Sequence, residues 1–214
     1  MKIEALHEFH NEQFAEEWSN KFVPTKDRIS LFELILDNIE NKENESIEIL
    51  ELGIGPGYLA EYILKRRKNI VYEGLDFSKS MLEIASKRLE SFTNVKIFTQ
   101  ANLTELSWKD EIKTSPKAII STWALHDLLS KKIIFEVYKL AYEILPKDGK
   151  LINGDFIKPE ESNFEYEKGR IKPSEHIKLL KKSGFENIKC LKMFEENINK
   201  PTTSNNYACF MAIK

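Results

Sequence analysis

The sequence predicts an α/β fold: a doubly wound, seven-stranded, mostly parallel sheet with an antiparallel strand pair at its C-terminal end and a helical arm at its N-terminus. Three observations carry this prediction. Short apolar runs alternate with segments of helical period, the order expected of strand–helix–strand units with right-handed crossovers. Three of the eight glycines, Gly53, Gly55 and Gly57, fall between the first apolar run and the next helical segment. The last two apolar runs have no helix between them, so they pair antiparallel.

In chain order, the strand segments are IEILELG (47–53), IVYEGLD (70–76), VKIFTQA (95–101), AIISTW (118–123) and KLINGDF (150–156). Ser78 is placed to cap a helix whose Met81, Leu82, Ala85 and Leu89 share a face. Ile133, Val137, Leu140 and Ile144 repeat at helical spacing until Pro146 and Gly149 end the next helix. After a loop at 157–172, Pro173 and Ser174 open a helix that stops at Gly184. FENIKCLKMF (185–194) and NYACFMAIK (206–214) form the final pair. The arm repeats Phe9, Phe14, Trp18 and Phe22 along one side, and the polar run NKENES (41–46) is an ordinary loop.

Composition narrows the class. A chain of 214 residues, 42% hydrophobic and 31% charged, suits one globular domain. No run approaches the roughly 18 apolar residues of a membrane span, and no leader pattern opens the chain, so a cytoplasmic protein without membrane attachment is expected. Residues 1–46 carry eleven Asp/Glu against five Lys/Arg, a charge that repels a phosphate backbone, so no nucleic-acid partner is expected. Cys190 and Cys209 lie in apolar alternation and read as small buried hydrophobes. They do not combine with His7, His10, His126 and His176 at ligand spacing, so no metal is expected. Composition leaves the oligomeric state open.

Chemistry concentrates in ELGIGPG, residues 51–57. Glycines there let the backbone turn sharply and approach a ligand, while the following helix offers free N–H groups at its start; a ligand-free tight turn is the alternative. Asp76 ends the second strand 23 residues after Gly53. A carboxylate there can accept both hydroxyls of a ribose, or can cap the helix at Ser78. A dinucleotide fingerprint would place Gly or Ala where Tyr58 stands.

The E-x-G-x-G-x-G arrangement, with Glu51 two residues before Gly53, resembles motif I of the class I S-adenosylmethionine-dependent methyltransferases. The resemblance extends through YEGLDFSKSML, QANLTEL, STWALHDL and LPKDGKL to the terminal strand pair, and so covers nearly the whole domain. It implies S-adenosyl-L-methionine as cofactor, S-adenosyl-L-homocysteine as product, and the seven-stranded fold of that family. It implies Glu51 near the methionyl amine, the three glycines along the methionyl backbone, Asp76 on the ribose, Phe77 against the adenine face, and Asn102 and Leu103 at the adenine edge. Position 102 departs from the commoner aspartate, although an amide carbonyl can still accept from the adenine amine. Arg28 is a candidate for the methionyl carboxylate or an exposed helical arginine. By this reading residues 1–45 are a helical arm or lid, 46–156 the cofactor core, and 157–214 the acceptor loop, helix and strand pair.

Methyl transfer asks mainly for positioning, plus a base when the acceptor is a hydroxyl or a protonated amine. His126, just past the fourth strand, is the candidate base; the alternative is that His126-Asp127 organises a turn. Trp18, Phe22, Trp123, Tyr166 and Arg170 are the candidate acceptor contacts. Arg170 suits an anionic group. For the arm aromatics, plain packing is the competing reading, and for the EYEKGR loop, a solvated surface. The expected activity is O- or N-methylation of a small molecule. A nicotinamide-dependent oxidoreductase and a non-catalytic S-adenosylmethionine-binding protein are the alternatives.

Overall fold

The computed structural model describes residues 8–39, 45–194 and 206–214; His7 and most of the polar run at 41–46 lie outside them. The seven strands that the sequence predicts form one sheet, in the order β3-β2-β1-β4-β5-β7-β6. By compactness the chain divides into two units, Met1–Ser115 and Pro116–Lys214.

The first unit holds α1 (Glu12–Lys21), α2 (Lys26–Asn38), β1 (Ile47–Leu52), α3 (Tyr58–Leu64), β2 (Ile70–Asp76), α4 (Lys79–Leu89) and β3 (Val95–Gln100). Its three strands are parallel, with Leu52 opposite Leu75 and Asp76 opposite Gln100. β1 and β2 are buried at every position but one each, Glu48 and Val71, as inner strands of a parallel sheet are. β3 is exposed at Val95, as an outer strand is. Each helix start has a local cause: the side chains of Asn11, Thr25 and Ser78 accept the N–H of Phe14, Arg28 and Met81 and so cap α1, α2 and α4. Glu73, fully buried in β2, accepts from the Thr99 hydroxyl, from the N–H groups of Lys113 and Thr114, and from the Thr114 hydroxyl. It thereby pins the segment that closes the first unit.

The second unit holds β4 (Ala118–Thr122), α5 (Lys131–Ile144), β5 (Lys150–Phe156), α6 (Pro173–Lys182), β6 (Glu186–Phe194) and β7 (Tyr207–Ile213). β4 and β5 are parallel, whereas β7 runs antiparallel to both β5 and β6. α5 spans the four residues read at helical spacing; Val137 and Leu140 are buried with Ile134, Tyr138 and Ala141, while Ile133 and Ile144 are half-buried. One sequence expectation needs correction here. Cys209 is buried, but Cys190 is half-exposed, because β6 is the outermost strand and shows its outer face to water.

Candidate cofactor and acceptor sites

In the first unit β1 ends in a loop whose backbone favours glycine: Gly53, Gly55 and Gly57 have φ of 72°, 52° and 81°. The N–H groups of Gly53 and Ile54 both donate to the Leu75 carbonyl, which fixes the loop to the end of β2. A Cβ on Gly55 would meet nothing within 4 Å, so the loop borders open space, whereas one on Gly57 would press on Ala85 at 3.2 Å. The helix-packing glycine of this turn is therefore Gly57. Tyr58 is freed to donate its hydroxyl to the Ser19 carbonyl at 2.8 Å.

Two carboxylates are buried beside this loop. Asp76 accepts from the N–H of Gly55 and of Ser78, each at 2.9 Å. Burial raises its pKa to about 6 against the opposing hydrogen bonds of Ser78, Gly55 and Phe77 and the charge of His10. Glu51 is pushed up to about 8, first by burial; the 2.6 Å bond from the Tyr72 hydroxyl opposes this and the Asp76 charge adds to it. A buried acid so incompletely stabilised is matched by a cationic ligand, and a ribose diol suits Asp76. The residues present thus fit S-adenosylmethionine.

The remaining predicted residues of this unit are placed less directly. Phe77 is half-buried, with the His10 ring edge-on to it at 5.0 Å. Asn102 directs its carbonyl oxygen to the N–H and hydroxyl of Thr104, so the oxygen that would meet the adenine amine is engaged in a turn; Leu103 is half-buried in that turn. Arg28 donates to the Phe22 carbonyl at 3.3 Å and lies over the Phe22 ring, tying the α1–α2 turn together. Trp18 and Phe22 pack on each other, and Trp18 packs edge-on to Phe9.

In the second unit the sequence found His126 but not its partner. Asp155, at the end of β5, takes the His126 backbone N–H on one oxygen at 2.9 Å and the ring Nδ1–H on the other at 2.7 Å. Both residues are buried, and this clamp sets the tautomer that leaves Nε2 as the acceptor. Nε2 lies 3.2 Å from the carboxylate of Asp127, which is about half-exposed. Burial works against the imidazolium, but the charge and hydrogen bond of Asp155, helped by Asp127, overcome it, so the His126 pKa is raised.

Of the predicted residues of this unit, His126, Trp123 and Arg170 gather around Phe156. The His126 ring is edge-on to Phe156 at 4.9 Å and the Arg170 guanidinium lies over its face at 4.5 Å. Arg170 is buried, and its Nε donates to Glu167. Gly169 explains how it arrives there: a Cβ at this position would lie 1.6 Å from the His126 carbonyl oxygen, so backbone packs on backbone. Tyr166 is half-buried, its hydroxyl 3.4 Å from that of Ser162. Trp123, with φ of 48°, is edge-on to Tyr207; a left-handed tryptophan directly after a strand is strain of the kind concentrated at functional sites. The sequence signal for Asp155 was a lone acid at the end of a predicted strand. For Gly169 it was a glycine in an otherwise charged loop.

A glycine loop after β1, an acid closing β2 and an antiparallel seventh strand define the class: this is the class I methyltransferase fold. Residues 49–149 match the family model described as "Methyltransferase domain". The chain is 45% identical over 42 residues to the uncharacterized methyltransferase YdaC of Bacillus subtilis, covering 20% of this chain and 23% of that protein. It is 32% identical over 76 residues to malonyl-[acyl-carrier protein] O-methyltransferase of Halalkalibacterium halodurans, covering 36% and 28%. Over 118 residues it is 27% identical to ribosomal RNA small subunit methyltransferase A of Persephonella marina, covering 53% and 43%. The match thus spans less than half the length of each of these relatives. Among solved structures, PigF with SAH superposes with a TM-score of 0.71 at 12% identity, covering 96% of this chain and 60% of that one. Residues 49–149 thus match a methyltransferase domain, and the chain has the fold of the class I S-adenosylmethionine-dependent methyltransferases.

Proposed function

We propose that the chain methylates a hydroxyl or amine of a small, anionic acceptor, with S-adenosylmethionine as the methyl donor and His126 taking the acceptor's proton. The cofactor supplies an electrophilic methyl on a sulfonium. Glu51 binds its amine, Asp76 its ribose, and the glycine loop lies along its methionyl chain. The observation that carries the acid–base reading is the two-pronged grip of Asp155 on His126. A histidine that merely organised a turn has no need of a buried carboxylate fixing its tautomer. Asp155 is the positioning residue. Asp127, half-exposed, swings off Nε2 when the acceptor enters. Arg170, held over Phe156, binds the acceptor's anion. The acidic N-terminal arm argues against an RNA acceptor.

The reading is tested by incubating the protein and labelled S-adenosylmethionine with a metabolite extract and following label into small molecules and into RNA by mass spectrometry. Label in RNA alone overturns it. Asp76→Ala is expected to weaken S-adenosylmethionine binding by about 1.5–3 kcal/mol in calorimetry, the range for hydrogen bonds to a charged group, with the fold intact. Unchanged affinity removes Asp76 from the ribose. Arg170→Lys is expected to raise the acceptor KM with little change in kcat, because an ammonium cannot reproduce the planar fork. A KM equal to wild type would leave the anion without its ligand.

A further inference from the structure

We propose that residues 8–22 form a strap that is itself part of the cofactor site, with His10 a binding residue at its adenosine end. The inference rests on the cofactor reading above and adds residues that lie outside the family-matched 49–149. Both ends of the strap are tied to the two loops that carry the cofactor residues. At the first end, the Ser78 hydroxyl donates to the Phe9 carbonyl while the Ser78 N–H donates to Asp76. One residue on, the His10 ring stands edge-on to Phe77 at an interplanar angle of 88°. A planar group that packs on Phe77 therefore shares that ring with His10.

At the other end the ties run to the glycine loop. The Tyr58 hydroxyl donates to the Ser19 carbonyl. Arg88 stacks on the Tyr58 ring at 3.8 Å, reaches the Ser19 hydroxyl at 3.4 Å, and donates through Nε to the Pro56 carbonyl at 2.7 Å, inside the loop between Gly55 and Gly57. Between these anchors the strap is braced by its own rings, Phe9 against Phe14 and Trp18. The charge of His10 also favours the ionised form of Asp76, which places the imidazole within electrostatic reach of the ribose carboxylate. Every anchor is thus a neighbour of a ligand-holding residue: Ser78 and Phe77 of Asp76, Pro56 and Tyr58 of the glycines. A ligand that orders those loops orders the strap, and a docked strap favours the ligand by the same factor.

The test compares the intact protein with and without S-adenosylhomocysteine. Hydrogen exchange at residues 8–22 is expected to slow by about tenfold or more on binding. His10→Ala and Tyr58→Phe are each expected to weaken S-adenosylhomocysteine by about three- to tenfold, the scale of one ordinary contact. His10→Ala should weaken adenosine by the same factor, because its contact lies at that end. If the ligand binds and Asp76→Ala weakens it, yet strap exchange and His10→Ala affinity do not change, the strap is structural and the inference fails while the cofactor reading stands. If wild-type protein binds neither S-adenosylhomocysteine nor adenosine, both fail together.

Discussion

Replacing His126 by glutamine is expected to lower kcat by about a hundredfold or more and to leave S-adenosylmethionine affinity within about twofold, since a general base acts in the transition state and not on the cofactor. Glutamine keeps a donor for Asp155 but cannot take a proton. The pH profile carries further information. Asp155 and Asp127 raise the His126 pKa against burial, so Nε2 is free to act as a base only above that raised value, and the rate climbs with pH through it. Asp155→Asn removes the larger of the two raising charges. Its maximal rate should fall, and the acid limb of its profile should move to lower pH. A merely structural aspartate would lower the rate without moving the limb. The folding linkage has a definite sign as well: the stability from this pair is complete below the ordinary histidine pKa of 6.5 and is lost as pH rises through the folded value. Normal turnover by His126→Gln would assign catalysis to proximity alone, on an acceptor already nucleophilic.

Glu51→Gln is expected to do two opposite things: stabilise the ligand-free protein at pH 8 and weaken its hold on the cofactor. Glu51 is neutral in the folded state up to about pH 8 but ionises near 4.5 when unfolded. Its contribution to stability is therefore complete below 4.5 and is lost as pH rises through 8. Asp76, raised to about 6, adds a loss in the same direction at lower pH. At about 1.4 kcal/mol per pKa unit, glutamine should recover roughly 2–4 kcal/mol at pH 8, read as a rise of several degrees in Tm. The same substitution removes the charge that meets the methionyl amine. S-adenosylhomocysteine affinity should fall by about ten- to a hundredfold. Binding to wild type at pH 7 should also release a proton as Glu51 ionises against the amine. Calorimetry in two buffers of different ionisation enthalpy measures it, and Glu51→Gln should abolish it. A variant less stable at pH 8 than wild type would show that Glu51 is held ionised by other means.

Two kinds of information separate in this chain. What the sequence determined alone is local or periodic. The strands follow from apolar runs, the helix starts at Ser78 and Pro173 from residue chemistry, and the glycine turn from three residues at positive φ. The end of β2 at Asp76 was legible for the same reason, and the antiparallel last pair because the sequence shows no helical period between its two apolar runs. The His126 ring was legible as a titratable group after a strand, but its competence was not. That depends on Asp155, 29 residues away on another strand and brought to it by the packing of β4 beside β5. The helical period of α5 was legible, but only packing decides that Ile134 is buried more deeply than Ile133. Asn102 was read from its chemistry, and the fold gave its oxygen to Thr104 instead. Only the tertiary structure brought the strap to Phe77 and Tyr58, through Phe9–Ser78 and Ser19–Arg88 contacts each 69 residues apart. Contacts between residues so distant in the chain leave no periodicity to read. They exist only because the packed apolar faces carry these polar side chains into reach.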